Sequence, residues 1–234
     1  MFQDCEKLNK IPFNGSYFYN TINCFENCAN LKTAVINHPA FNIFLTTFKD
    51  TNITSIDAKT TGLYIRTPVS TTFPLLTSFN GYFYHYNANS FSNCPNLTTV
   101  TNLGIGNSSY ANYLFQNCKK LTSVTFNNTA SFSNGYGMFK DCSNLTTTSG
   151  NIYVTSDTRY MFDNCVKLTG NIFLNYTNIA YMTGMFNNTS LSKNLYIPFT
   201  RNNTTTYNSV TYNTAIANGI NGINGVTLKN IWTI

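Results

Sequence analysis

The chain predicts a right-handed repeat solenoid: short coils stacked on one another, with a parallel β-sheet and short helical or 3₁₀ turns. Three observations carry that prediction. The phrase Phe-x-(Asn/Asp)-Cys-x-x-Leu recurs at Phe2, Cys5, Leu8; Phe25, Cys28, Leu31; Phe91, Cys94, Leu97; Phe115, Cys118, Leu121; Phe139, Cys142, Leu145; and Phe162, Cys165, Leu168. With the weaker copies at Phe48 and Phe186 counted, its phenylalanines lie 23 or 24 residues apart except for one gap between 48 and 91. After the leucine comes a β-rich run such as Leu121-Thr122-Ser123-Val124-Thr125-Phe126 or Gly170-Asn171-Ile172-Phe173-Leu174. A period of this length marks units that bury their apolar side only by stacking on their neighbours.

Within each unit, Phe, Cys and Leu at i, i+3 and i+6 fall on one side of a helical turn, which places them inward. The residue before the cysteine slot is Asp4, Asn27, Asp50, Asn93, Asn117, Asp141, Asn164 or Asn188. Asn and Asp tolerate left-handed backbone and bond nearby amides, so they keep the turn short. Weaker copies stand at Phe48 with Thr51 and at Phe186 with Thr189. The gap from 48 to 91 holds two periods, with Ser70, Phe73 and Leu76 in place of Phe, Cys and Leu. The reading is therefore about nine coils of 21–24 residues. The run after each leucine is a strand, by alternation and β-branching, and a second extended segment such as 180–185 returns to the next Phe. Strands about 4.8 Å apart would make the stack about 40 Å long.

Residues 1–199 form this solenoid. Met1-Phe2 occupy the Met-Phe position seen again at Met138-Phe139, Met161-Phe162 and Met185-Phe186, so the sequence starts partway through a coil. Such a start fits a piece of a longer chain or an end covered by a partner. A strand over 195–199 closes the stack. Residues 200–234 read as a cap: a polar loop, a short helix near 209–218, a Gly219, Gly222 and Gly225 stretch, and an apolar end anchored by Trp232.

Only 9% of the residues are charged while 42% are hydrophobic, so disorder is excluded and the polar surface is built from Asn, Thr and Ser. The net charge of +6 suggests a nucleic-acid partner, but its placement opposes one. Lys119, Lys120, Lys140 and Lys167 alternate with Asp141 and Asp163 along the turn phrase, which is a solvated edge and not a basic patch. No stretch approaches the roughly 20 apolar residues of a membrane-spanning helix.

Candidate chemistry is sparse. Cys24 and Cys28 could be paired as ligands, but Cys24 fills the slot that holds Met elsewhere, and Thr51, Phe73 and Thr189 replace the other cysteines without disturbing the period. The cysteines thus read as free, buried thiols acting as small apolar residues. His38 and His85 are isolated, no nucleophile motif occurs, and the eight carboxylates are spread through the turns. No catalytic, metal or cofactor site is expected, and the protein is read as not an enzyme. Two aromatic runs remain: Tyr17 and Tyr19 after Asn14-Gly15, and Tyr82, Tyr84 and Tyr86 after Asn80-Gly81. Alternation along a strand turns some of these rings outward, either to cover the return segment or to contact sugars or proteins. Asn-x-Thr triplets such as 96–98 and 144–146 arise by chance in so Asn- and Thr-rich a chain.

The combination Met138-Phe139-Lys140-Asp141-Cys142-Ser143-Asn144-Leu145-Thr146, repeated with a period near 23, resembles the BspA-like leucine-rich repeats. The resemblance spans about residues 1–199 and departs from the pattern around 32–90. It implies a leucine-rich-repeat-like solenoid with a parallel sheet, from a bacterial surface protein, a secreted protist protein or a gut-bacteriophage virion protein. It also implies roles in adhesion and recognition, and no fixed catalytic residues. The expected function is non-enzymatic recognition on a cell surface or virion, with protein or surface glycan bound through the sheet face and the aromatic runs. The alternative is a spacer or assembly element of a phage fibre or surface layer, docking onto itself or a neighbouring chain through open ends such as the N-terminal edge.

Overall fold

A computed structural model describes residues 2–11, 20–37, 41–66, 68–85, 88–106, 110–127, 131–150, 152–169, 172–176, 183–189, 195–198 and 228–231. Among the described residues twelve strands make two parallel sheets. The first contains β1 (Thr33–Ile36), β2 (Phe41–Ile43), β3 (Ser55–Ile65), β4 (Ser78–His85), β5 (Thr99–Gly106), β6 (Ser123–Phe126) and β8 (Thr147–Ser149). Its order is β1-β3-β4-β5-β6-β8, with β2 also on β3. The second runs β7 (Ser131–Asn134), β9 (Ile152–Asp157), β10 (Ile172–Tyr176), β11 (Leu195–Pro198), β12 (Leu228–Ile231). Each coil thus lays its strand on that of the coil before, as a solenoid requires. Strand β12 pairs in register with β11, Leu195 opposite Leu228, inside the segment read as a cap. The proposed helix near 209–218 and Trp232 lie outside the described residues.

The turn phrase is held by two sets of bonds. Within a coil, the cysteine N–H reaches back three residues to the Phe carbonyl (Cys142 to Phe139, 3.0 Å) and the leucine N–H to the cysteine carbonyl (Leu145 to Cys142, 3.0 Å). Between coils, the Phe N–H and the Asn/Asp N–H donate to the next coil, as in Phe139 to Met161 O at 2.8 Å and Asp141 to Asp163 O at 2.8 Å. The turns are therefore successive i→i+3 bends and not regular helix. The cause is the Asn/Asp position: all eight residues named above have positive φ, from 50° at Asn188 to 63° at Asp141. A left-handed residue ends a right-handed turn, and Asn and Asp adopt that conformation at the least cost after glycine. Their side chains also pair across coils, Asn27 to Asp4 at 2.6 Å, Asn117 to Asn93 at 2.7 Å, Asn164 to Asp141 at 2.7 Å and Asn188 to Asn164 at 2.9 Å.

Inside, the phenylalanines stack as a column, with centroids 5.5 Å apart for Phe115–Phe139, 5.2 Å for Phe139–Phe162 and 5.4 Å for Phe162–Phe186, near parallel throughout. Phe2, Phe25 and Phe48 form a second such column. Cysteine and leucine columns flank the rings, buried except at Cys5 and Leu8.

Between the columns the pattern changes. The backbone places Val69, not Ser70, in the phenylalanine slot: Val69 N–H donates to Ser90 O, the residue before Phe91. Phe73 fills the cysteine slot and Leu76 the leucine slot, with Leu76 N–H on Phe73 O at 3.0 Å. No Asn or Asp precedes Phe73, so nothing breaks the turn, and it closes as the one helix described, α1 (Val69–Thr72), with Phe73 N–H on Val69 O at 2.7 Å. The valine leaves ring-sized space. Phe73 fills it by reaching Phe48 at 5.6 Å, and Phe79 and Phe83 meet Phe91 edge-on at 5.1 and 5.3 Å.

Candidate functional site

The outward side of the first sheet is a lattice of hydroxyls. In-register pairing aligns Thr33, Ser55, Ser78, Thr99, Ser123 and Thr147 in one column. Beside it lie Asp57, Asn80 and Thr101, joined by Thr101 Oγ1 donating to Asn80 Oδ1 at 2.9 Å and Asn80 Nδ2 to Asp57 Oδ1 at 2.7 Å. At the strand entrance the threonines after Leu76, Leu97, Leu121 and Leu145 (Thr77, Thr98, Thr122 and Thr146) donate their hydroxyls to a carbonyl of the preceding coil at 2.8–2.9 Å. The ion pairs among the described residues lie elsewhere. Lys49 bonds Glu26 at 2.8 Å and Lys140 bonds Asp163 along the turn edge, while Arg159 bonds Asp157 at 2.7 Å on the return side.

The sheet bends at Gly81, whose φ of 115° suits only glycine and whose Cβ position abuts the Ala58 backbone. Past the bend the predicted alternation appears: Phe83 is buried while Tyr82 and Tyr84 face out, half-buried. Tyr84 stacks on Tyr64 at 4.8 Å and meets Tyr82 edge-on at 5.6 Å. Arg66 lies over Tyr64 at 5.2 Å and donates Nε to Asn42 Oδ1 at 2.8 Å. Tyr82 rests on Gly104, where a Cβ would collide with its ring. Burial, with Tyr84 as its neighbour, raises the Tyr82 phenol pKa. Tyr17, Tyr19 and Tyr86 lie outside the described residues, as do His38 and the side chain of His85.

A second aromatic group, not anticipated from the sequence, lines the return turns. Tyr113, Tyr136 and Tyr160 meet edge-on at 5.3 and 5.6 Å. Tyr113 and Tyr160 have positive φ, 58° and 56°, and in the following coil the same slot holds Gly137 and Gly184. A Cβ at Gly137 would come within 2.7 Å of the Tyr113 ring, so each glycine makes room for the tyrosine above it. Arg159 and Lys140 cover Tyr136 and Tyr160 at 5.3 and 5.8 Å. These rings are packed against the protein's own groups, which gives them a structural role. The readable signal was the Tyr-Gly alternation two residues before successive phenylalanines.

The seven cysteines are free thiols. Beyond filling space, Sγ of Cys118, Cys142 and Cys165 donates to the phenylalanine carbonyl of the coil before, at 3.0, 3.0 and 3.1 Å. Thr51 and Thr189 serve instead the Phe carbonyl of their own coil, at 2.7 and 3.0 Å, which explains why threonine is tolerated. Burial raises the thiol pKa of Cys28, Cys142 and Cys165, and hydrogen bonding to Cys118 together with burial raises that of Cys94. The thiolate is the reactive form, so native protein treated with iodoacetamide near neutral pH is expected to label Cys5 first and to spare Cys94, Cys142 and Cys165 until denatured. Peptide mass mapping checks this; early labelling of Cys142 would contradict the packing. Among the described residues no group of three His, Cys, Asp or Glu side chains could hold a metal ion, and no helix is long and apolar enough to cross a membrane.

Comparison with known proteins gives two results. A family model described as BspA type leucine rich repeat region, in 6 copies, matches residues 1–69 and 84–217. The unmatched stretch, 70–83, holds most of α1, Phe73 in the cysteine slot and most of β4. Among solved structures, a leucine-rich repeat protein from Bacteroides ovatus ATCC 8483 is similar, at 14% identity and a TM-score of 0.38, over 89% of this chain and 56% of that one. The chain thus spans little more than half the length of that protein. No curated protein matches.

Proposed function

The chain belongs to the BspA type leucine-rich repeat family, and on that premise we propose that it is a non-enzymatic recognition or adhesion module displayed on a cell surface or virion. It contacts protein or glycan through the outward face of the sheet and the rings at its bend. The observation that carries this reading is the group Tyr64, Tyr82 and Tyr84, held outward on paired strands above the buried Phe79 and Phe83. Tyrosines fixed on a rigid sheet offer contact area with little side-chain entropy to lose, and their hydroxyls add polar contacts. The catalytic constellations that an enzyme needs find no counterpart among the sequence motifs.

The test is retention of the purified chain on whole cells, extracellular-matrix proteins and glycan arrays. Tyr82→Ala is expected to weaken retention on the cognate surface about tenfold, a loss of roughly 1.4 kcal/mol, while leaving the thermal melt nearly unchanged. Tyr110→Ala, at a ring that is 60% exposed and outside this group, serves as the control. Silence of the folded wild-type chain on all three surfaces would sink the proposal.

A further inference from the structure

The direction of the hydrogen bonds on the sheet face says what it is built to meet. Thr101 donates to Asn80, Asn80 to Asp57, Ser55 to Thr33 at 3.0 Å, and Ser149 to Thr125 at 3.1 Å. In every case the donor belongs to the later coil and the acceptor to the earlier one. The threonines at the strand entrance do the same toward carbonyls. A hydroxyl has one proton and two lone pairs, so a hydroxyl that spends its proton on the preceding coil keeps only acceptor capacity for a partner. Ser55, Thr101 and Ser149 are therefore left with lone pairs for a partner, Thr147 donates within its own strand to Thr148 O, and Ser78, Thr99 and Ser123 of the same column can still donate.

That pattern discriminates by chemistry. Carboxylate or sulfate groups are acceptors only, so an acidic chain would set acceptor against acceptor at Ser55, Thr101 and Ser149 and would approach the Asp57 carboxylate. A strongly cationic chain is opposed by the net charge of +6. A neutral polyol both donates to the lone pairs of Ser55, Thr101 and Ser149 and accepts from Ser78, Thr99 and Ser123, without charge. At the bend the lattice runs into Tyr82, the ring that Gly104 seats against the sheet and leaves half-exposed.

We propose that the hydroxyl lattice of the first sheet, continued by Tyr82, is a binding face for an uncharged, hydroxyl-rich glycan chain. This rests on the recognition reading above and narrows its ligand to one chemical class.

Affinity electrophoresis of the whole chain tests it, in gels containing mannan, xylan, dextran or mixed-linkage glucan and, separately, heparin or polygalacturonate. Retardation by at least one neutral polymer is expected, unaltered by added salt because no counterions are released. Tyr82→Ala and Thr101→Val should each weaken it roughly fivefold to tenfold, on the scale of one lost contact or hydrogen bond. Arg159→Ala, on the return side, should leave it unchanged. Salt-sensitive retardation confined to the acidic polymers overturns the proposal, as does neutral-polymer binding indifferent to both face substitutions. Failure to bind any neutral polymer, with retention on cells or matrix proteins intact, overturns the glycan class and leaves the recognition reading standing; failure on every surface removes both.

Discussion

Replacing Phe139 with alanine is expected to destabilise the chain by about 3–5 kcal/mol, the cost of truncating a fully buried aromatic side chain. Phe139 has no exposed surface, stacks between Phe115 and Phe162 and meets Phe126 edge-on at 6.3 Å. The neighbours cannot close the gap, because each ring is fixed by its own coil's backbone bonds to the next. A single lost hydrogen bond costs only about 1 kcal/mol, so the cavity dominates any local polar change. The effect should also spread. In a stacked array, stability is a sum of unit terms and nearest-neighbour interfaces, and this substitution weakens two interfaces at once. Urea denaturation followed by far-UV circular dichroism should therefore show a lower midpoint and a shallower slope as cooperativity between the two sides falls. Phe2→Ala, at a half-buried ring, should cost clearly less. Equal losses at both positions would argue against a continuous column as the source of stability.

What could be read from the sequence was what repeats. A 23- or 24-residue beat specifies which residues stack, since one coil is superimposed on the next, and the Phe, Cys and Leu columns follow. The left-handed turn was equally legible, because Asn or Asp at one fixed position has few other physical reasons. The misplacement of Ser70 for Val69 arose where the marker ring was absent and spacing alone had to locate the slot; only the bond from Val69 to Ser90 O fixes it. The rings of Tyr113 and Tyr160 escaped notice because tyrosine disfavours positive φ, and propensity gave no reason to look there. Alternation predicted that rings of the Tyr82–Tyr84 run face outward. It could not indicate that Ser55, Thr101 and Ser149 donate toward the preceding coil, since both directions are available to a hydroxyl until its neighbours are placed.

Asn164→Ala should cost about 2–4 kcal/mol, the sum of two separable terms. Its φ is 61°, and alanine in the left-handed region pays about 1–2 kcal/mol. Its amide also donates to Asp141 and accepts from Asn188, and these exposed or half-exposed bonds contribute about 0.5–1 kcal/mol each. Asn164→Gly separates the terms. Glycine takes the same φ without a Cβ penalty, although its freer unfolded chain costs roughly 0.5–1 kcal/mol, so the glycine variant should lie about 1 kcal/mol above the alanine variant. Asn144 supplies the contrast. Its Nδ2 donates to Lys119 O at 2.6 Å and its Oδ1 accepts from Lys167 at 2.6 Å, yet it is not among the positive-φ residues. There alanine should be no worse than glycine, because only the bonds are lost. If alanine and glycine were equivalent at Asn164 too, the left-handed backbone would not be the reason that Asn and Asp recur before the cysteine slot, and the side-chain ladder alone would have to account for all eight.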